Sequence, residues 1–133
     1  MRKLAVLVAL LATFATTASA DAKRLVRYDV GGGLAGTSDR LVIDTDGAAH
    51  QVGDRSGNQH FNVPAKQLRA LKRELRAARF RSLKRRYQPA LPVFDGITQT
   101  VRHNGRSVSI YDGADIPARL SRVIRRLGRI MRP

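Results

Sequence analysis

The chain has 133 residues and no cysteine, with 25 Lys or Arg against 10 Asp or Glu, a formal net charge of +15. Without cysteine there is no disulfide framework, no thiolate metal ligand and no cysteine nucleophile. Its length suits a signal followed by one domain of ordinary size, large enough to bury a core without staples.

Residues 1–20 have the three parts of a secretory signal in order. Arg2 and Lys3 are positive, residues 4–12 are an unbroken apolar run, and Ala18-Ser19-Ala20 is an A-x-A cleavage pattern. A membrane span takes about 20 predominantly apolar residues, and this run is only nine long. The expectation is cleavage near Ala20, a mature domain over 21–133 starting at Asp21, and no transmembrane segment after cleavage. Export places the protein in a secreted, periplasmic or cell-envelope compartment, most simply a bacterial one.

Residues 25–30 read as a strand, with Val26, Tyr28 and Val30 on one face. The run Gly31-Gly32-Gly33-Leu34-Ala35-Gly36 interrupts it. Leu41-Val42-Ile43 is a second strand ending at Asp46-Gly47, a pair that favours a tight turn, and 48–52 pairs back as a third. Residues 54–59 are polar and glycine-containing and read as loop.

Asn62-Val63-Pro64 carries helix-start signals, followed by an apolar stripe of Leu68, Leu71, Leu75 and Ala78 that ends near Phe80 and Leu83. Pro89 and Pro92 make 88–92 a connector. Over 97–111, two alternating runs flank Asn104-Gly105, the preferred pair for a two-residue type I′ turn. That register sets Val101 against Val108 and Gln99 against Ile110, with Thr98, Thr100, Ser107 and Ser109 on the wet face. Ile116, Leu120, Val123, Ile124, Leu127 and Ile130 are the stripe of a closing helix begun by Asp115 and Pro117. The class is α+β: an antiparallel sheet built from hairpins, with two amphipathic helices packed on one face.

Gly31, Gly33 and Gly36 spell G-x-G-x-x-G after a strand. The dinucleotide fingerprint needs a helix next, because the pyrophosphate sits on that helix's amino end. Here residues 37–43 lead into another strand, so no cofactor is expected. The glycines mark irregular backbone: either a plain connector, or a binding loop that displays Leu34 to a partner. Asp44-Thr45-Asp46-Gly47 lacks the remaining oxygen ligands of a calcium loop. His50, His60 and His103 have no metal-ligand spacing, and His103 beside the hairpin turn reads as exposed. No nucleophile motif or paired carboxylates stand out, so neither catalysis nor a metal is expected.

The charge is uneven. Residues 21–62 hold five basic and six acidic side chains; residues 63–133 hold eighteen and four. The first helix and its tail carry Lys66, Arg69, Lys72, Arg73, Arg76, Arg79, Arg81, Lys84, Arg85 and Arg86 against Glu74 alone. The closing helix carries Arg119, Arg122, Arg125, Arg126, Arg129 and Arg132. A face of one sign repels itself unless a partner neutralises it. Aromatic residues for stacking bases are scarce, so a specific nucleic-acid reader is not expected. Arg73, Arg76, Arg119, Arg122, Arg126 and Arg129 are the candidates for binding an anionic envelope polymer, a membrane surface or an acidic protein.

Several segments together resemble the emfourin-like inhibitors of thermolysin-like metallopeptidases. They are Gly32-Gly33-Leu34-Ala35-Gly36 between two strands, residues 75–83 as a helix end, Asp95-Gly96-Ile97 before the hairpin, and Ile116-Pro117-Ala118-Arg119-Leu120. The resemblance covers most of 25–128. It implies a protein partner, an extracellular zinc peptidase, whose active cleft receives Gly31, Gly32, Gly33, Leu34, Ala35 and Gly36, with Leu34 in an apolar pocket. The cationic module acting through the arginine-rich helices stands as the alternative.

Overall fold

The computed structural model describes residues 23–131; the signal segment, Asp21 and Arg132 lie outside them. The chain runs β1 (Arg24–Gly32), β2 (Thr37–Asp44), β3 (Ala48–Gly53), β4 (Gly57–Asn62) and α1 (Ala65–Ala78), followed by a 3₁₀ turn at Phe80–Ser82. It continues through β5 (Arg86–Tyr87), β6 (Ile97–His103), β7 (Arg106–Tyr111) and α2 (Ala118–Ile130). The seven strands form one mixed sheet in the order β4-β3-β2-β1-β6-β7-β5, antiparallel except for β5 beside β7. The class is α+β, as the alternation and stripes predict.

Register follows the sequence pattern. Val101 pairs with Val108 and Gln99 with Ile110 across the β6–β7 hairpin. Asn104 and Gly105 both take positive φ, 48° and 72°, the requirement of a type I′ turn. Tyr28 of the central strand stands opposite both Leu41 and Val101. These residues, with Val26, Ile43, Ala49, Val108 and Ile110, are buried in one cluster with Leu71 and Leu75 of α1 and Leu120, Val123 and Leu127 of α2. Each such side chain removed from water contributes about 1.5–3 kcal/mol. The Tyr28 hydroxyl donates to Gln99 Oε1 at 2.6 Å, and burial pushes its ionisation up to about 12.

Four sequence expectations are corrected. Residues 54–59 are not all loop, because Gly57 opens β4, which pairs with β3 along its whole length. Its residues are polar because it is an edge strand with water beside it. Asn62 is the last residue of β4 rather than a helix cap; Pro64 holds the cap position with no side-chain bond. Gly31 and Gly32 belong to β1, so the true turn is residues 33–36. His103 is half-buried rather than exposed: its Nδ1 donates to the Leu25 carbonyl at 2.8 Å and its ring meets Phe80 edge-on. A bulge between Arg24 and Val26 shifts the β1–β2 register there, setting Leu25 out of the regular pairing.

β2 also buries a carboxylate. Asp39 is 3% exposed, and accepts from Arg55 Nε at 2.8 Å and Ser56 Oγ at 3.0 Å. Burial pushes its carboxyl up, but those bonds and the Arg55 charge outweigh burial and hold it below the usual range. Gly53 lies opposite Asp39, where any Cβ would overlap the carboxylate. No helix among the described residues is long and apolar enough to cross a membrane.

Candidate functional site

The glycine run turns a hairpin at one end of the sheet, and two of its glycines are required by geometry. Gly32 has φ 114°, and a Cβ there would stand 2.7 Å from the Gly96 carbonyl. Gly36 has φ 59° and closes the turn by donating to the Gly33 carbonyl at 3.0 Å. The Gly33 N–H reaches the Gly96 carbonyl at 3.4 Å, so the turn lies against the segment before β6. Gly31 sits in the strand between Ser38 and Thr98. Leu34 and Ala35 are left at the tip, and Leu34 is 94% exposed.

The neighbouring segment is apolar too. Between β5 and β6 the chain exposes Leu91, Val93 and Phe94, and Ile97 begins β6 in the same state. Phe94 is fully in solvent at 105% exposure. Gly96 N–H bonds the Val93 carbonyl at 3.3 Å, and Asp112 N–H bonds the Ile97 carbonyl at 2.9 Å, which pins the segment to both its own turn and the end of β7. A hollow of about 330 Å³ beside it is lined by Pro89, Val93, Ile97 and Tyr111 among others. Single exposed apolar residues are ordinary; here two loops joined by the Gly33–Gly96 bond both display them.

No family model matches the chain, and neither does any curated protein.

Sequence reasoning singled out Leu34 and passed over Phe94, Leu91 and Val93, which the structure also leaves exposed. Their signal was present in weak form, as apolar residues inside a proline-interrupted connector, where a buried stripe has no helix or strand to run along. The helical arginines fare differently. Arg126 is held by Glu74 through two bonds of 3.0 and 2.7 Å that tie α2 to α1. The Arg126 hydrogen bond outweighs burial, and with the charges of Arg126, Arg73 and Arg122 it holds the Glu74 carboxyl below its usual range. Arg119 donates to Ser82 Oγ at 3.1 Å. Arg73, Arg76, Arg122 and Arg129 are exposed. The six arginines thus do not act as one free face, since two of them are engaged in joining the helices and the 3₁₀ turn. Among the described residues, no group of three His, Asp or Glu is placed to hold a metal. His50 and His60 stack instead across β3–β4, with ring centroids 4.2 Å apart.

Proposed function

We propose that this chain is an exported binding protein that inhibits a thermolysin-like zinc peptidase, with the 33–36 turn entering the active cleft. One observation carries the reading: Leu34, almost wholly exposed, stands on a turn whose backbone is bonded to the Phe94-bearing segment. Apolar anchors displayed on a preorganised loop bind with little ordering cost, and glycines let the backbone approach a partner closely. In this reading both helices cover a single face of the sheet. Leu34 fills the apolar specificity pocket, and Phe94, Leu91 and Val93 pack on the rim of the cleft. The inhibitor supplies no catalytic group, cofactor or metal of its own.

The test is titration of a thermolysin-like enzyme with the purified protein. Activity should fall in proportion to added protein until the two are equimolar. Leu34→Asp should weaken inhibition at least about a hundredfold, because a charge would be desolvated at a central anchor, and Phe94→Ala about tenfold. Absence of inhibition across several such enzymes, or an unaffected Leu34→Asp variant, rejects the reading. The alternative, capture of an anionic polymer or membrane by the helix arginines, is weakened at Arg126 and Arg119 by the bonds described above.

A further inference from the structure

At the other end of β1 lies a groove of about 950 Å³. Lys23 and Arg24 come to it from the start of β1, Arg76 and Arg79 from the end of α1, and Arg81 from the 3₁₀ turn; Arg102 and Arg106 reach it from the β6–β7 hairpin. No carboxylate among the described residues lines it. The ion pairs among the described residues use Arg27, Arg40, Arg55 and Arg126, so none of these seven cations has an acidic partner there. Arg102 stands directly opposite Arg27 across the β1–β6 pair, and Arg27 is already held by Asp29. Like charges gathered without counter-charge destabilise a fold unless a ligand neutralises them.

Two further features bear on the groove. Arg106 is fixed at its wall by its Nη2, which donates to the Leu83 carbonyl at 2.6 Å. Arg79 holds a left-handed backbone, φ 48°, at a helix end where glycine or asparagine is usual. Strained backbone of this kind collects at binding sites.

We propose that this groove binds a short chain of linked phosphates. The guanidinium and ammonium groups that Lys23, Arg24, Arg76, Arg79 and Arg81 bring to one hollow call for many negative charges in a small volume, and the guanidinium fork matches phosphate oxygens two at a time. The concave shape receives a chain in preference to a flat lipid surface. Nucleobases have no platform here: Phe80 is 4% exposed, and the His103 ring is tied to Phe80 and Leu25. The site is independent of Leu34, which sits beyond the far end of β1, so peptidase inhibition and phosphate binding succeed or fail separately.

The experiment is calorimetric titration of the purified protein with linear polyphosphate at several salt concentrations. The double variant Arg24→Glu, Arg81→Glu changes two exposed groove residues and should lower affinity at least about tenfold, with a salt slope shallower by about one for each cation lost. Arg122→Glu with Arg125→Glu makes the same charge change on α2 outside the groove and should leave affinity within about twofold. Unchanged circular dichroism melting of both variants shows that they fold. Equal loss in the two variants overturns the proposal, since binding would then follow net charge alone. Tighter binding to anionic lipid vesicles or to single-stranded DNA than to polyphosphate, at equal phosphate concentration, also overturns it.

Discussion

The two ends of β1 are built on opposite principles. At Gly32 the chain leaves the sheet through glycines and displays apolar side chains to water, beside the exposed carboxylates of Asp95 and Asp112. At Arg24 it meets a hollow crowded with unpaired arginines, and the apolar groups there, Leu75 and Phe80, are buried. The first end keeps its apolar surface outside and is fixed by backbone geometry; the second is fixed by packing and keeps its charge outside. The difference teaches that exposure alone does not locate a site. What matters is whether the exposed chemistry has a partner within the fold: among the described residues Leu34 is left in water and no ion pair holds a groove cation.

The sharpest way to break this contrast is to compare two phenylalanines. Phe80→Ala empties core beneath the cationic end and should cost about 3–5 kcal/mol in chemical denaturation, whereas Phe94→Ala should cost no more than about 0.5 kcal/mol. Equal losses would mean that the apolar end is ordinary core. Next in size, Gly32→Ala forces a Cβ toward the Gly96 carbonyl at an unfavourable φ. It should cost about 2–3 kcal/mol and weaken peptidase inhibition while leaving polyphosphate binding intact.

The smallest effect concerns acid. The folded state holds the Asp39 carboxyl below its usual range. Its contribution to stability is therefore full above the unfolded value of about 3.9 and is lost as pH falls through the lower folded value. Asp39→Asn should cost about 1–2 kcal/mol at neutral pH, and its stability should fall less steeply than that of the parent below about pH 4. Parallel curves in urea melts at successive pH values would show that Asp39 is not the titrating group. Asp39 stands opposite Val30, near the Gly32 end of β1 and far from the cationic groove, so polyphosphate binding should not change at neutral pH.

Much of the fold was legible because local signals agreed with one another. Asn104-Gly105 with flanking alternation determined a hairpin and its register, and the leucine stripes marked both helices. β4 was hidden because Asn58, Gln59 and His60 carry no apolar alternation, as befits an edge with water on it. β5 was hidden because two residues, Arg86 and Tyr87, have no periodicity; their parallel pairing with β7 depends on where α1 delivers the chain. The same holds for the sites. Leu34 stands out in sequence because glycines surround it, while Phe94 matters only once Gly33 meets Gly96. The groove gathers Lys23, Arg79 and Arg106 from three distant segments, so no local pattern announces it. Sequence placed the basic character in the second half, yet the groove takes two of its seven cations from the first.

The sheet's two outer strands differ in a way that bears on storage and crowding. β5 is only two residues long and offers little backbone to a newcomer. β4 runs six residues, GNQHFN, without a lysine, arginine, carboxylate or proline to discourage strand addition. A net charge of +15 keeps copies apart in dilute buffer. Salt or a neutralising polyanion screens that repulsion, and β4 is then the edge whose backbone groups are open to a further strand.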